Sequence, residues 1–231
     1  MRRVCLLLLL VRGKDVPLMK TRLTAARLKH HFAYSLWKYI LLVVLAAFGW
    51  NLIYTTTAYR PPAEKKVDLY LCTGIGDQVA LDAYLENVRQ QEMSDMEEMS
   101  SVILGAGGSD PYVVMQLTTY IMAGEGDVYL LSRDDFFNYA SQGALLELES
   151  YVDEGALRTG EMDLSHGWRV CTDTGERHLY GIPAASFTGL EQFGLPKLKD
   201  MYFCVTVNCG NNPNAVKLLD ILARDFIPAQ P

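Results

Sequence analysis

Acidic residues are almost missing from the first quarter of this 231-residue sequence: residues 1–59 hold nine Lys or Arg and one acid, Asp15, a balance of +8. Residues 60–231 reverse this, with twelve basic against twenty-six acidic side chains, or −14. An acidic domain of this kind repels nucleic acid, whose binding depends on neutralising phosphates with Lys and Arg. Other shortages narrow the chemistry further. Gly74-x-Gly76 lacks the third glycine of a dinucleotide fingerprint. His166 and His178 have no ligand partners at metal spacing, which favours a surface role over zinc. No Ser-His-Asp or Cys-His arrangement can be assigned from spacing, so nothing assembles a nucleophile. Asp173-Thr174-Gly175 is one copy of an aspartic-protease-like triplet in a predicted hairpin turn, and reads as a turn. No internal repeat is visible. The reading is therefore a non-enzymatic protein with no cofactor and no metal.

The chain does have a long apolar run. Residues 34–54, YSLWKYILLVVLAAFGWNLIY, carry one charge, Lys38. About 20 mostly apolar residues suffice to cross a bilayer. Trp37 and Tyr39 stand at one edge and Trp50, Tyr54 and Tyr59 at the other, as interfacial aromatics do. Lys20, Arg22, Arg27, Lys29 and Lys38 precede or open the run, so the positive-inside rule places the N-terminus in the cytoplasm and everything after about Ala58 outside. A cleavable signal peptide has a shorter apolar core of about 7–15 residues. Here Phe48, Trp50 and Ile53 continue the run past Ala46 and Ala47, favouring an uncleaved single-pass anchor in the cell membrane. Met19 begins a normal basic lead-in, and residues 1–18 read as an upstream start. The expected organisation is a basic cytoplasmic segment at 1–33, a transmembrane anchor at 34–57, a proline-containing linker at 58–66 and an extracytoplasmic domain at 67–231.

Within that domain Val67, Leu69 and Leu71 alternate with Asp68 and Tyr70, the period of a strand. Asp77 caps a predicted helix bearing Leu81, Tyr84, Leu85 and Val88. The Glu- and Met-rich stretch 90–100 reads as a frayed helix end and loop, before a short strand over 102–104. Ser109-Asp110-Pro111 starts a second helix that breaks at Gly124. Residues 127–131 form a third strand, and Asp134 or Asp135 opens a third helix with Phe136, Phe137 and Ala140 inward. Alternation of this kind predicts βαβ units, hence an α/β fold with a mainly parallel sheet flanked by helices. A hairpin (168–171 with 178–182), a strand over 202–207 and a helix over 214–226 complete the domain. Cys72, Cys171, Cys204 and Cys209 allow three pairings if exported. Cys72 and Cys204, on predicted core strands, read at least as well as free thiols, and Cys204 with Cys209 is the pair worth testing.

The order of motifs resembles the N-terminal lobe of bacterial extracellular solute-binding proteins of ABC importers. It runs from Tyr70–Asp77 through Ala123-Gly124-Glu125-Gly126-Asp127-Val128, Phe136-Phe137-x-Tyr139 and Gly143-x-Leu145-x-x-Leu148 to Tyr151. Leu179-Tyr180-Gly181-Ile182-Pro183 and the stretch 207–215 follow. The resemblance implies one periplasmic-binding-protein-like lobe behind the membrane helix. It implies a small polar, sugar-like solute and an ABC permease or a partner supplying a second lobe. About thirty residues separate Pro183 from the late helix, so most of a second lobe is not expected in this chain. The alternative is an envelope interaction or sensor module that kept the fold without binding solute. Ligands of open parallel sheets sit beyond the carboxyl ends of the strands. The candidate ligand residues are therefore Thr73, Gly74, Gly76, Asp77, Ser109, Asp110, Ser132, Arg133, Asp134 and Tyr180, with Arg133 suited to an anionic group.

Overall fold

The computed structural model describes residues 25–106, 110–160, 162–196 and 198–228. The chain divides into two compact units, Met1–Tyr59 and Arg60–Pro231.

Among the described residues of the first unit, one helix, α1 (Ala25–Thr57), extends for 33 residues. Its stretch Ser35–Thr57 has 23 residues and a mean hydropathy of 1.8. At about 1.5 Å per residue that is roughly 35 Å, enough to cross a hydrocarbon core of about 30 Å. The polar end needs no outside partner: the hydroxyls of Thr55, Thr56 and Thr57 donate back to the carbonyls of Leu52 and Ile53 at 2.6–3.1 Å.

The second unit holds a five-stranded sheet in the order β2-β1-β3-β7-β6. The strands are β1 (Lys66–Leu71), β2 (Glu98–Ile103), β3 (Val128–Ser132), β6 (Ile182–Pro183) and β7 (Met201–Val205). β1 pairs in parallel with β2 and β3, whereas β7 runs antiparallel to both β3 and β6. Four of the five strands thus point one way, a mainly parallel sheet with one reversed member. The helices α2 (Gln78–Glu92) and α6 (Asn212–Phe226) cover one face; α3 (Pro111–Ala123) and α4 (Arg133–Ser141) cover the other. β1 is accordingly buried on both sides. Val67, Leu69 and Leu71 join the α2/α6 core, and Tyr70 joins the α3/α4 core. The alternation seen in the sequence marks two buried faces, as a central parallel strand requires, and not one wet and one dry.

The sequence placed several boundaries differently. β2 begins at Glu98, not Val102, because polar residues there are buried with partners: Ser101 N and Oγ both donate to Asp82 Oδ1 of α2 at 2.7 Å. Stretch 90–100 is not frayed; Met93, Met96 and Met99 lie in the core. The cap of α4 is Ser132, not Asp134 or Asp135: its hydroxyl accepts from Asp135 N at 3.3 Å and donates to Asp135 Oδ2 at 2.6 Å. The predicted strand 178–182 is two elements. β5 (Arg177–Leu179) pairs with β4 (Trp168–Val170) in a separate hairpin, while Ile182 leaves it to pair with Phe203 on the main sheet. A short helix, α5 (Glu149–Asp153), precedes the hairpin.

Two of the motif glycines have a packing role. Gly124 closes α3 in the left-handed conformation at φ 68°. A Cβ on Gly126, at φ 78°, would fall 2.5 Å from the Tyr70 ring. The small-residue run before Asp127 is thus what lets the chain turn from α3 into β3 against an aromatic wall.

Candidate functional site

The strand order creates a fork. After β1 the chain leaves over one face through α2, and after β3 it leaves over the other through α4, although β1 and β3 are neighbours. Crevices at such switch points are where open α/β sheets take their ligands. One bank is the turn after β1. Thr73 Oγ1 donates to Ile75 O at 2.8 Å, and Gly74 N, at φ 73°, donates to Leu104 O at 2.8 Å, which ties this turn to the end of β2. Asp77 caps α2, accepting from Ala80 N at 3.0 Å. The other bank is the start of α4, where Ser132 is the cap and Arg133 and Asp134 are exposed in the first turn. The Arg133 guanidinium lies 5.1 Å from the centre of the Phe137 ring, and the Arg169 guanidinium 3.5 Å from it.

Eight of the ten predicted residues lie at the carboxyl edge: Thr73, Gly74, Gly76, Asp77, Asp110, Ser132, Arg133 and Asp134. Asp110 flanks the crevice from the outer side as the cap of α3, accepting from Tyr112 N at 2.9 Å. Ser109 lies outside the described residues. Tyr180 is not with them. Its backbone N donates to Gly167 O at 3.1 Å, its side chain is 2% exposed within the α3/α4 core, and burial pushes its phenol up to about 12. The Tyr-Gly-Ile-Pro segment therefore enters the sheet and places no side chain at the crevice.

Three residues at the edge were absent from the sequence reading. Phe193 O accepts from Asp77 N at 2.7 Å, a Leu195 methyl would lie 2.8 Å from a Cβ on Gly76, and Asp200 O accepts from Arg133 N at 2.9 Å. The connection from β6 to β7 thus touches both banks. No local pattern announces this, since backbone carbonyls do the work. Of the polar groups at the crevice, the caps are already committed to backbone amides. The Arg133 guanidinium beside half-buried Phe137 presents charge and apolar surface together.

A second polar cluster gathers around His178. Its Nδ1 hydrogen-bonds Glu149, and its Nε2 lies 3.5 Å from Glu147 Oε1 and 3.4 Å from Glu176 Oε2. Hydrogen bonding to Glu149 raises the imidazole pKa above its ordinary value. Burial pushes Glu149 up, but its bonds to His178 and Leu179 N outweigh that and hold it low. The four described cysteines, Cys72, Cys171, Cys204 and Cys209, are free. Burial raises the first and last of these to about 12, so neither thiol is ionised near neutrality.

Solved structures of family 1 extracellular solute-binding proteins resemble part of the chain. One from Alicyclobacillus acidocaldarius is 17% identical, with 54% of this chain and 29% of that one covered and a TM-score of 0.37. A maltose-bound protein of T. maritima is 20% identical, with 56% and 33% covered and a TM-score of 0.36. A galacto-N-biose-/lacto-N-biose I-binding protein of Bifidobacterium longum is 12% identical, with 54% and 29% covered and a TM-score of 0.37. The chain spans about a third or less of the length of these proteins. No protein-family model matches the chain, and no curated protein does.

Proposed function

We propose that this chain is a membrane-anchored, extracytoplasmic solute-binding-like protein whose α/β unit offers the β1/β3 crevice to a small polar solute. A sugar fits the resemblance of its motifs, and ABC-type uptake is the process such a lobe would serve. The observation that carries this reading is the switch point itself. Adjacent parallel strands send their helices to opposite faces, leaving Thr73–Asp77 and Ser132–Asp134 on facing banks. Arg133 would hold an anionic or hydroxyl group while Phe137 covers an apolar face. α1 would fix the unit to the membrane, with the basic end retained in the cytoplasm.

The test is the melting temperature of the full chain in detergent micelles against sugars, oligosaccharides, amino acids, peptides and polyamines. A ligand at a hundredfold excess over its dissociation constant stabilises the folded state by about 2.7 kcal/mol. One class should raise the melting temperature, and Arg133→Ala should remove that rise without lowering the unliganded value. A folded chain indifferent to every class overturns the solute reading.

The interaction-module alternative has its own support. Ile75, Val79 and Tyr112 are large apolar side chains exposed at the same carboxyl edge. Such a rim suits a protein partner or a separately supplied second lobe. Ile75→Ser with Tyr112→Ser would then weaken partner association and leave solute-dependent melting unchanged.

A further inference from the structure

The β4–β5 hairpin is hydrogen-bonded as its own sheet, apart from the five main strands. What fastens it at its outer end is polar. Leu148 N donates to Leu179 O at 2.8 Å, and Glu149 Oε2 accepts from Leu179 N at 3.1 Å. The second oxygen of Glu149 bonds His178 Nδ1, which fixes the ring and turns Nε2 toward Glu147 and Glu176. One ligand atom from each of Glu147, Glu149 and His178 lies within 4.8 Å of the other two. Three carboxylates thus surround one imidazole in a unit already strongly acidic.

Two separations, both from the Nε2 atom, match those between ligands of one ion. A tetrahedral zinc ion with bonds of about 2.0–2.2 Å sets its nitrogen and oxygen ligands roughly 3.3–3.6 Å apart. The observed distances from Nε2 are 3.5 Å to Glu147 Oε1 and 3.4 Å to Glu176 Oε2. Metal-bound histidines characteristically donate the other ring N–H to a carboxylate, and Glu149 stands in that place. Imidazole with carboxylates suits zinc-class ions better than calcium or magnesium, which prefer all-oxygen shells.

We propose that His178 Nε2, Glu147 and Glu176 form a divalent-metal site of the zinc class, with Glu149 as the residue that orients the imidazole. Metal there clips the hairpin to the segment entering α5. Water completes the coordination, because Glu176 is 72% exposed and the site opens outward.

The experiment uses the full chain in detergent, stripped with chelator and titrated with zinc chloride at neutral pH by calorimetry and thermal melting. One saturable equivalent should bind and raise the melting temperature, and magnesium chloride should do neither. His178→Gln should abolish binding. Glu176→Gln, on an exposed turn where folding is not at stake, should weaken it at least tenfold, and Glu149→Gln by 10–100-fold. His166→Gln should leave it unchanged. Absence of saturable zinc uptake overturns the proposal, as does uptake that survives both His178→Gln and Glu176→Gln; the cluster is then an ion-pair clamp only.

Discussion

Asp127 shows how one buried side chain sets the pH response of the sheet. It is 8% exposed at the entrance to β3, and its Oδ2 accepts from Asp68 N at 2.7 Å. Burial raises its pKa to about 6, against the opposing pull of that backbone bond. A carboxyl whose folded pKa lies above its unfolded value of about 4 binds its proton more tightly in the native state. Its contribution is therefore most favourable below pH 4 and is lost as pH rises through 6. Two units correspond to roughly 3 kcal/mol as an upper figure. Asp127→Asn keeps an acceptor for Asp68 N and removes the charge. The variant should flatten this part of the stability profile between pH 4 and 6 and melt no lower than the parent at pH 7.5. Melting temperatures across that range decide it, and an unchanged slope refutes the assignment. His178 makes the complementary point about what a single sequence conceals. Its hydrogen-bond partner Glu149 stands 29 residues away and only Glu176 is near it in the chain, so local spacing could not reveal a histidine among three glutamates. Metal-ligand patterns are legible only when the ligands share a turn or helix.

Helix starts were legible because capping is local. Asp77 before an apolar-periodic run and Asp110 before Pro111 mark α2 and α3 within one residue of where they begin. The start of the edge strand β2 was not, since its polar Ser101 is accommodated by Asp82 on a helix 19 residues earlier in the sequence. Nor was the reversal of β7: a run such as Tyr202–Val205 encodes burial on a sheet and carries no mark of direction. The crevice was half legible for the same reason. Its banks are βα turns, readable from Thr73–Asp77 and Ser132–Asp134, but the Phe193 and Asp200 carbonyls that reach them come from a connection with no periodicity. At this scale Asp77 poses a sharp question, since a cap and a ligand contact demand different chemistry. Asp77→Ala deletes the acceptor for Ala80 N and should cost about 1 kcal/mol, whereas Asp77→Asn preserves the cap and should cost only a few tenths. Denaturant titration measures both. If Asp77→Asn keeps stability yet loses solute-dependent melting, its charge serves the ligand; if solute binding persists, Asp77 is a cap alone.

The whole sequence joins a basic N-terminal part to an acidic remainder, +8 over residues 1–59 against −14 over residues 60–231, and this asymmetry should govern how the protein sits in a cell. With the basic end retained inside, as proposed, the boundary between the two units would lie at the outer surface. That boundary falls after Tyr59, which is exposed and followed by Arg60-Pro61-Pro62 ahead of a short turn, Ala63–Lys65, pinned by Asn211 Nδ2 donating to Glu64 O at 2.8 Å. Chymotrypsin cuts after tyrosine and needs extended, accessible chain, while the tyrosines of the sheet and its packed helices are protected by folding. Limited digestion of right-side-out vesicles should therefore release one soluble fragment beginning at Arg60, and sealed inside-out vesicles should release none. Because both hydrophobic cores draw their residues from Val67 onward, the released fragment should retain the melting temperature of the full chain in detergent to within about 2 °C. Release from inside-out vesicles alone would reverse the orientation. A fragment that melts far lower would mean that the helical unit supports the fold, and the division into an anchor and an independent binding unit would fail.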